Sequence, residues 1–88
     1  MELNFLEIFM IELTEIFEVV KERFPSQSIR IDQLYKDDEN FRSLCLDYFS
    51  SIRTLRNYKS SSEEIGHSIT EYKNVIVELE KEFDSYFD

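Results

Sequence analysis

Phe41 to Tyr86 reads FRSLCLDYFSSIRTLRNYKSSSEEIGHSITEYKNVIVELEKEFDSY. Two apolar series run through it. Phe41, Cys45, Tyr48, Ile52 and Leu55 recur at spacings of 4, 3, 4 and 3. Ile65, Ile69, Tyr72, Ile76, Leu79, Phe83 and Tyr86 recur at 4, 3, 4, 3, 4 and 3. Such spacing keeps one apolar face on an α-helix, turn after turn. Leu44, Leu46 and Phe49 widen the first stripe. Between the two series lie Ser60, Ser61 and Ser62, then Glu63 and Glu64. Ser60 with Glu63, or Ser61 with Glu64, satisfies the S-x-x-E capping box that opens a helix. Asp37, Asp38 and Glu39 precede the first series, where acidic side chains cap an N-terminus and complement its partial positive charge. The pattern predicts helices over 38–58 and 62–86, paired as an antiparallel hairpin across a short serine turn.

Upstream, Leu6, Met10, Leu13, Phe17, Val20 and Phe24 recur at 4, 3, 4, 3 and 4. Asn4 is a good N-cap, Glu7 completes a capping-box arrangement, and Leu3 with Ile8 occupies the hydrophobic-staple positions. Pro25 ends the series, because its ring disfavours helix at Phe24 and it has no amide hydrogen to donate. A helix over 5–24 follows. The piece 26–36 is short. Ile31, Leu34 and Tyr35 fit a helical set, and the alternation of Ile29 and Ile31 would fit a strand that has no partner in this sequence. A short helix near 29–36 is the better reading. The fold class is therefore all-α: an antiparallel bundle of three long helices and one short one, forming a single domain over 1–88. The first helix is expected to cover the open side of the hairpin, with 29–36 bridging the corner.

Bulk composition agrees. The chain has 88 residues, 42% of them apolar and 15% aromatic, with one Gly and one Pro. It is too apolar and too aromatic for intrinsic disorder. It is too poor in turn formers for a hairpin-built β protein. A chain this small buries only about 60–65% of its unfolded surface, so its eight Phe and five Tyr carry much of the core. One cysteine, no basic n-region before the first apolar run, and no apolar window near 18 residues point to a cytoplasmic protein with no membrane span.

Charge is uneven. The chain carries net −9; residues 1–24 carry −4, residues 25–60 carry +1 and residues 61–88 carry −6. This balance repels phosphate backbones and anionic lipid. Arg53, Arg56, Tyr58 and Lys59 make a small basic and aromatic group near the end of the third helix. Ion pairing with the acidic helices accounts for it more simply than RNA contact.

The players of chemistry are scarce. His67 is the single histidine and falls off the Ile65/Ile69 face. Cys45 falls on an apolar face, where a thiol acts as a small hydrophobe. One His and one Cys cannot build a zinc set of nitrogen and sulfur donors within one chain. Asp37, Asp38 and Glu39 lack the alternating frame of a calcium loop and read as a helix cap. With a single glycine there is no phosphate-cradling loop. The expectation is a non-catalytic protein with no cofactor, no metal and no small-molecule substrate.

The informative surplus is apolar. Among Phe5, Leu6, Glu7, Ile8, Phe9, Met10 and Ile11 only Glu7 is polar. A helix apolar on every side is covered on more than one side. Leu6, Phe9 and Met10 are the candidate partner-binding anchors, with Glu7 and Glu12 at the rim. Phe83, Tyr86 and Phe87 form a second surplus. If the two ends of the chain meet, Phe5, Phe9, Phe83 and Phe87 could share one cluster, as core or as an interface patch.

Phe24-Pro25, Ile31-x-x-Leu34, Phe41-x-x-Leu44, Asp47-Tyr48, Tyr72 and Glu78-Leu79-Glu80 together resemble the small bacterial YdcH-like proteins. The resemblance covers about residues 24–83, and the helix 5–24 lies outside it. It implies an antiparallel helical hairpin and a bacterial origin, with no established activity and no catalytic residues.

The expected function is a protein-interaction module or homo-oligomer. The alternative is a nucleic-acid-related role, either through Arg53, Arg56 and Lys59 or through the glutamates of the last helix as a phosphate mimic.

Overall fold

The structure is a computed structural model that describes the backbone of residues 5–60 and 66–87 and the side chains of residues 12–59 and 69–87. Its elements are α1 (Phe5–Arg23), a 3-10 turn (Pro25–Gln27), α2 (Ser28–Asp37), α3 (Glu39–Ser60) and α4 (Gly66–Phe87). Among the described residues every element is helical, and the all-α reading holds. The caps expected at Asn4 and at the serine turn lie outside the described residues.

The boundaries follow local chemistry. Phe24 leaves the helical region at φ −126° and ψ 64°, as the residue before proline is pushed to do, and Pro25 opens the 3-10 turn. Asp38 serves two helices at once. Its amide donates to the Leu34 carbonyl at 2.8 Å, closing α2, and its Oδ1 accepts from the Phe41 amide at 3.0 Å, opening α3. Arg42 completes the corner. Its Nη1 donates to the carbonyls of Tyr35 and Lys36 at 2.9 and 3.1 Å, satisfying acceptors that the end of α2 leaves orphaned.

α3 and α4 are both 22 residues long and form the expected antiparallel hairpin. Phe41 lies against Tyr86, Tyr48 against Phe83, and Tyr58 against Tyr72, with ring centroids 5.2, 5.3 and 5.5 Å apart. α1 runs back along α3 in the opposite sense. Its end lies by Tyr48, and Glu15 lies by Arg53 and Arg56.

The core is Ile16, Val20 and Phe24 of α1 and its end, Ile31 of α2, Phe41, Leu44, Cys45 and Tyr48 of α3, and Ile76 and Phe83 of α4. Two details differ from the sequence reading. In α1 the deepest stripe is Ile16, Val20 and Phe24, and the heptad positions Leu13 and Phe17 are only half-buried. Leu46, expected to widen the core stripe of α3, is 46% exposed, because the other helices leave its side of α3 uncovered.

The bundle is flat. The molecule measures 44 × 40 × 20 Å, with a radius of gyration of 14.5 Å. A compact chain of this length would have a radius near 12 Å. A 20 Å thickness is about two helix layers, since packed helices lie 8–10 Å apart. α1 packs mainly on α3, so it flanks the hairpin rather than capping its whole open side.

Candidate helix-lined interface

Both C-terminal rings that sequence left open between core and patch are now placed. Phe83 is fully buried, and its ring lies 5.2 Å from Phe24 and 5.6 Å from Phe41. Phe87 is half-buried, 5.3 Å from Phe24. The cluster forms around the C-terminal end of α1. Phe5 and Phe9 begin that helix, and at 1.5 Å per residue Phe9 lies about 20 Å along it from Phe24. The end of α4 therefore meets the wrong end of α1 for the four-phenylalanine cluster. The side chains of Phe5 and Phe9, and those of Leu6 and Met10, lie outside the described residues, as does that of His67.

A polar fork ties three helices together. The Tyr48 hydroxyl donates to Glu80 Oε2 at 2.8 Å. Arg23 Nε donates to the same oxygen at 2.9 Å, and Arg23 Nη2 to Oε1 at 3.4 Å. Arg23 also lies over the Phe24 ring, 4.9 Å from its centroid. The hydrogen bond from Arg23 to Glu80, with the carboxylate's charge, strengthens the hold of the guanidinium on its proton. Tyr48 is buried and its hydroxyl is held protonated, first by desolvation and then by its bond to Glu80. On the other flank Lys21 pairs with Asp32 at 2.7 Å, joining α1 to α2. The Phe17 ring sits edge-on to Tyr35 at 4.9 Å.

Cys45 is fully buried, and burial pushes its thiol up to about 12. At neutral pH it is a packed thiol with no thiolate character. Among the described residues no group of three or more His, Cys, Asp and Glu side chains could hold a metal ion. The run Asp37–Glu39 is the helix junction described above. Of the carboxylates paired in sequence, Glu78 meets Lys81 at 3.1 Å.

Of the two acidic helices, Arg53 and Arg56 lie beside α1. They form one wall of a groove, and Glu15 and Glu18 form the other. Val19, Phe49 and Ile52 make its half-buried floor. This concavity of about 330 Å³ continues into a second of about 270 Å³ through the shared Val19, Ile52 and Arg56, toward Glu22, Arg23 and Tyr48. The four wall residues are exposed, and among the described residues no carboxylate reaches either guanidinium within ion-pair distance. The ion pairing expected for Arg53 and Arg56 is not made within the described part of the chain. Tyr58 is half-buried against Tyr72, so its ring is engaged within the hairpin.

The groove was missed in sequence because Glu15 and Arg53 are far apart along the chain. A signal was present: from Tyr48 to Ser62 there are three bases and no acid, and from Met1 to Val20 there are five acids and no base. Such blocks mark two helices able to present opposite walls.

Comparison of the chain with family models, with curated proteins and with solved structures finds no match in any of the three. Among the described residues no helix is long and apolar enough to cross a membrane.

Proposed function

We propose that the chain is a non-catalytic interaction module that works by docking helix faces, against a second copy of itself in the first instance. The observation that carries this is the first turns of α1, Phe5 to Ile11, whose sequence is apolar nearly all round. A helix apolar on every side is covered on more than one side, and laying such a helix in a groove is a common docking mode. Leu6, Phe9 and Met10 are the anchors in this reading, and Glu7 and Glu12 set the charge at its rim. The buried, protonated Cys45 supports a non-catalytic role and a reducing, cytoplasmic setting. The same reading takes residues 24–83 as a hairpin of the YdcH-like kind.

A nucleic-acid role is the weaker reading. Glu15 and Glu18 stand across the groove from Arg53 and Arg56, where they would repel a phosphate backbone.

Sedimentation velocity at low and high salt tests the proposal. The wild type is expected to associate at both, because apolar anchoring survives screening. Phe9→Glu is expected to abolish the association while leaving helical circular dichroism intact. A wild type that stays monomeric, or a Phe9→Glu variant that associates as before, overturns it.

A further inference from the structure

The groove between α1 and α3 has a property that a random surface lacks: it is complementary to itself. One wall carries Glu15 and Glu18, the other Arg53 and Arg56, and an apolar strip of Val19, Phe49 and Ile52 runs between them. We propose that this face is the interface of a homodimer whose two-fold axis runs along the groove, so that α1 of each copy lies on α3 of the other.

The charge pattern selects that axis. A half-turn about a line along the groove exchanges left and right, bringing the acidic wall of one copy over the basic wall of the next. Position along the groove is unchanged. Glu15 and Glu18 therefore meet Arg53 and Arg56 of the partner, and by symmetry the reverse pairs form as well. A half-turn about a line across the groove would instead set acid on acid and base on base. Like charges in contact exclude that arrangement and fix the first.

Shape and area agree. The selected axis lays α1 antiparallel on the partner's α3, because α1 and α3 already run in opposite senses. The product is a four-helix arrangement of two α1 and two α3 with Val19, Phe49 and Ile52 from both copies at its centre. The monomer is only 20 Å thick, so stacking two copies yields a body of ordinary globular depth. A face two helices wide and as long as α1 covers on the order of 1,100 Å² in total, which clears the threshold of about 1,000 Å² for a specific interface. Within one chain the four charged groups stand exposed across an open groove. In the dimer each gains a partner of opposite sign, and exclusion of water from the strip strengthens those pairs.

This inference rests on the self-association proposed above and adds, to the anchors Leu6, Phe9 and Met10, the surface that fixes how the two copies are oriented. Its test is a charge exchange, read by sedimentation equilibrium over a concentration series. The wild type is expected at about twice the 10.7 kDa monomer mass. Variant one carries Glu15→Arg and Glu18→Arg, leaving both walls basic. Variant two carries Arg53→Glu and Arg56→Glu, leaving both walls acidic. Each alone is expected to be monomeric. Mixed in equal amounts, they are expected to recover the dimer, because every basic wall then meets an acidic one. Circular dichroism of each variant confirms folding, and recovery on mixing is itself proof that both are folded. Variants that dimerise alone, or a mixture that stays monomeric, overturn this surface. If Phe9→Glu dissociates the dimer while the charge variants keep it, self-association stands and the groove assignment falls. If the wild type is monomeric throughout, both fall.

Discussion

Along the α3–α4 hairpin, the end at Phe41 and Phe83 is enclosed by α1 and α2, whereas toward Tyr58 and Tyr72 the described side chains are covered less, with α1 standing across an open groove from Arg53 and Arg56. At the enclosed end Phe41, Phe83 and Cys45 are fully buried, together with Val20 and Ile31. Past Ser51 on α3 and before Ile76 on α4, no described residue is buried; Ile52, Leu55, Tyr58, Ile69 and Tyr72 are half-buried at best. Both ends carry the same heptad spacing. Periodicity therefore sets which residues face the neighbouring helix, and the number of neighbours sets how far they are buried. Stability belongs to the enclosed end. The half-covered end, with the groove beside it, is where surface is left for association.

The largest effect should come from breaking the enclosed end. Phe83 touches Phe24, Phe41 and Tyr48 from three sides, and those rings cannot all move in to fill its space. Phe83→Ala is expected to cost about 3–5 kcal/mol, as large-to-small changes in packed aromatic cores do. A domain of this size has only about 5–10 kcal/mol of total stability, so the variant should be largely unfolded or close to it. Urea unfolding followed by circular dichroism measures this. A midpoint close to the wild type's would show that the two ends are equally loose.

A second effect arises from the same enclosure and depends on pH. Burial raises the Cys45 thiol from an ordinary value of 9.0 to about 12 in the folded state. Above pH 9 the unfolded chain has released this proton while the folded chain still holds it. The unfolded state then binds fewer protons, and stability falls as pH rises. The stabilisation is complete below pH 9 and is lost progressively toward about pH 12, at roughly 1.4 kcal/mol per pH unit for a single group. Tyr48, shifted upward by burial and by Glu80, steepens the loss only above pH 10. Cys45→Ala should flatten the first part of this decline. Identical slopes for variant and wild type between pH 9 and 10 would show that the thiol is not enclosed.

The helices were legible in sequence, the difference between the two ends was not, and that has a physical reason. The spacing from Phe41 to Leu55 and from Ile65 to Tyr86 placed α3 and α4 to within a few residues, because each helix has one dominant neighbour. A cap among Asp37, Asp38 and Glu39 was legible, because capping is local, and Asp38, expected as the first residue of the helix, is the one that performs it. The series through α1 was partly right: Val20 and Phe24 belong to it and are buried, whereas Leu13 and Phe17 are half-buried and Ile16 takes the deepest place before them, giving a buried ridge spaced by four, as short helices packed ridge-into-groove have. Leu46 was misplaced because periodicity cannot count neighbours. The fork of Arg23, Tyr48 and Glu80 was not foreseen, since it joins residues 57 and 32 positions apart. The groove lay equally hidden: its walls belong to different helices, and only the blocks of like charge hinted at them.

The smallest effect should mark the half-covered end. Tyr72 has a ring partner in Tyr58, centroids 5.5 Å apart, just as Phe83 has its own partners. Yet Tyr72 and Tyr58 are both only half-buried. Truncation there lets water and neighbouring side chains move into the space, so no fixed cavity remains and the cavity part of the cost disappears. What is left is the transfer of a partly buried ring and one aromatic contact, together about 1–1.5 kcal/mol. Tyr72→Ala is therefore expected to shift the unfolding midpoint by no more than about half of the Phe83→Ala shift. Measured under dilute conditions, where the chain is monomeric, a loss equal to that of Phe83→Ala would mean that the far end of the hairpin is as enclosed as the near one. Measured at concentrations where copies associate, a loss that grows with concentration would place Tyr72 in the covered surface of the assembly.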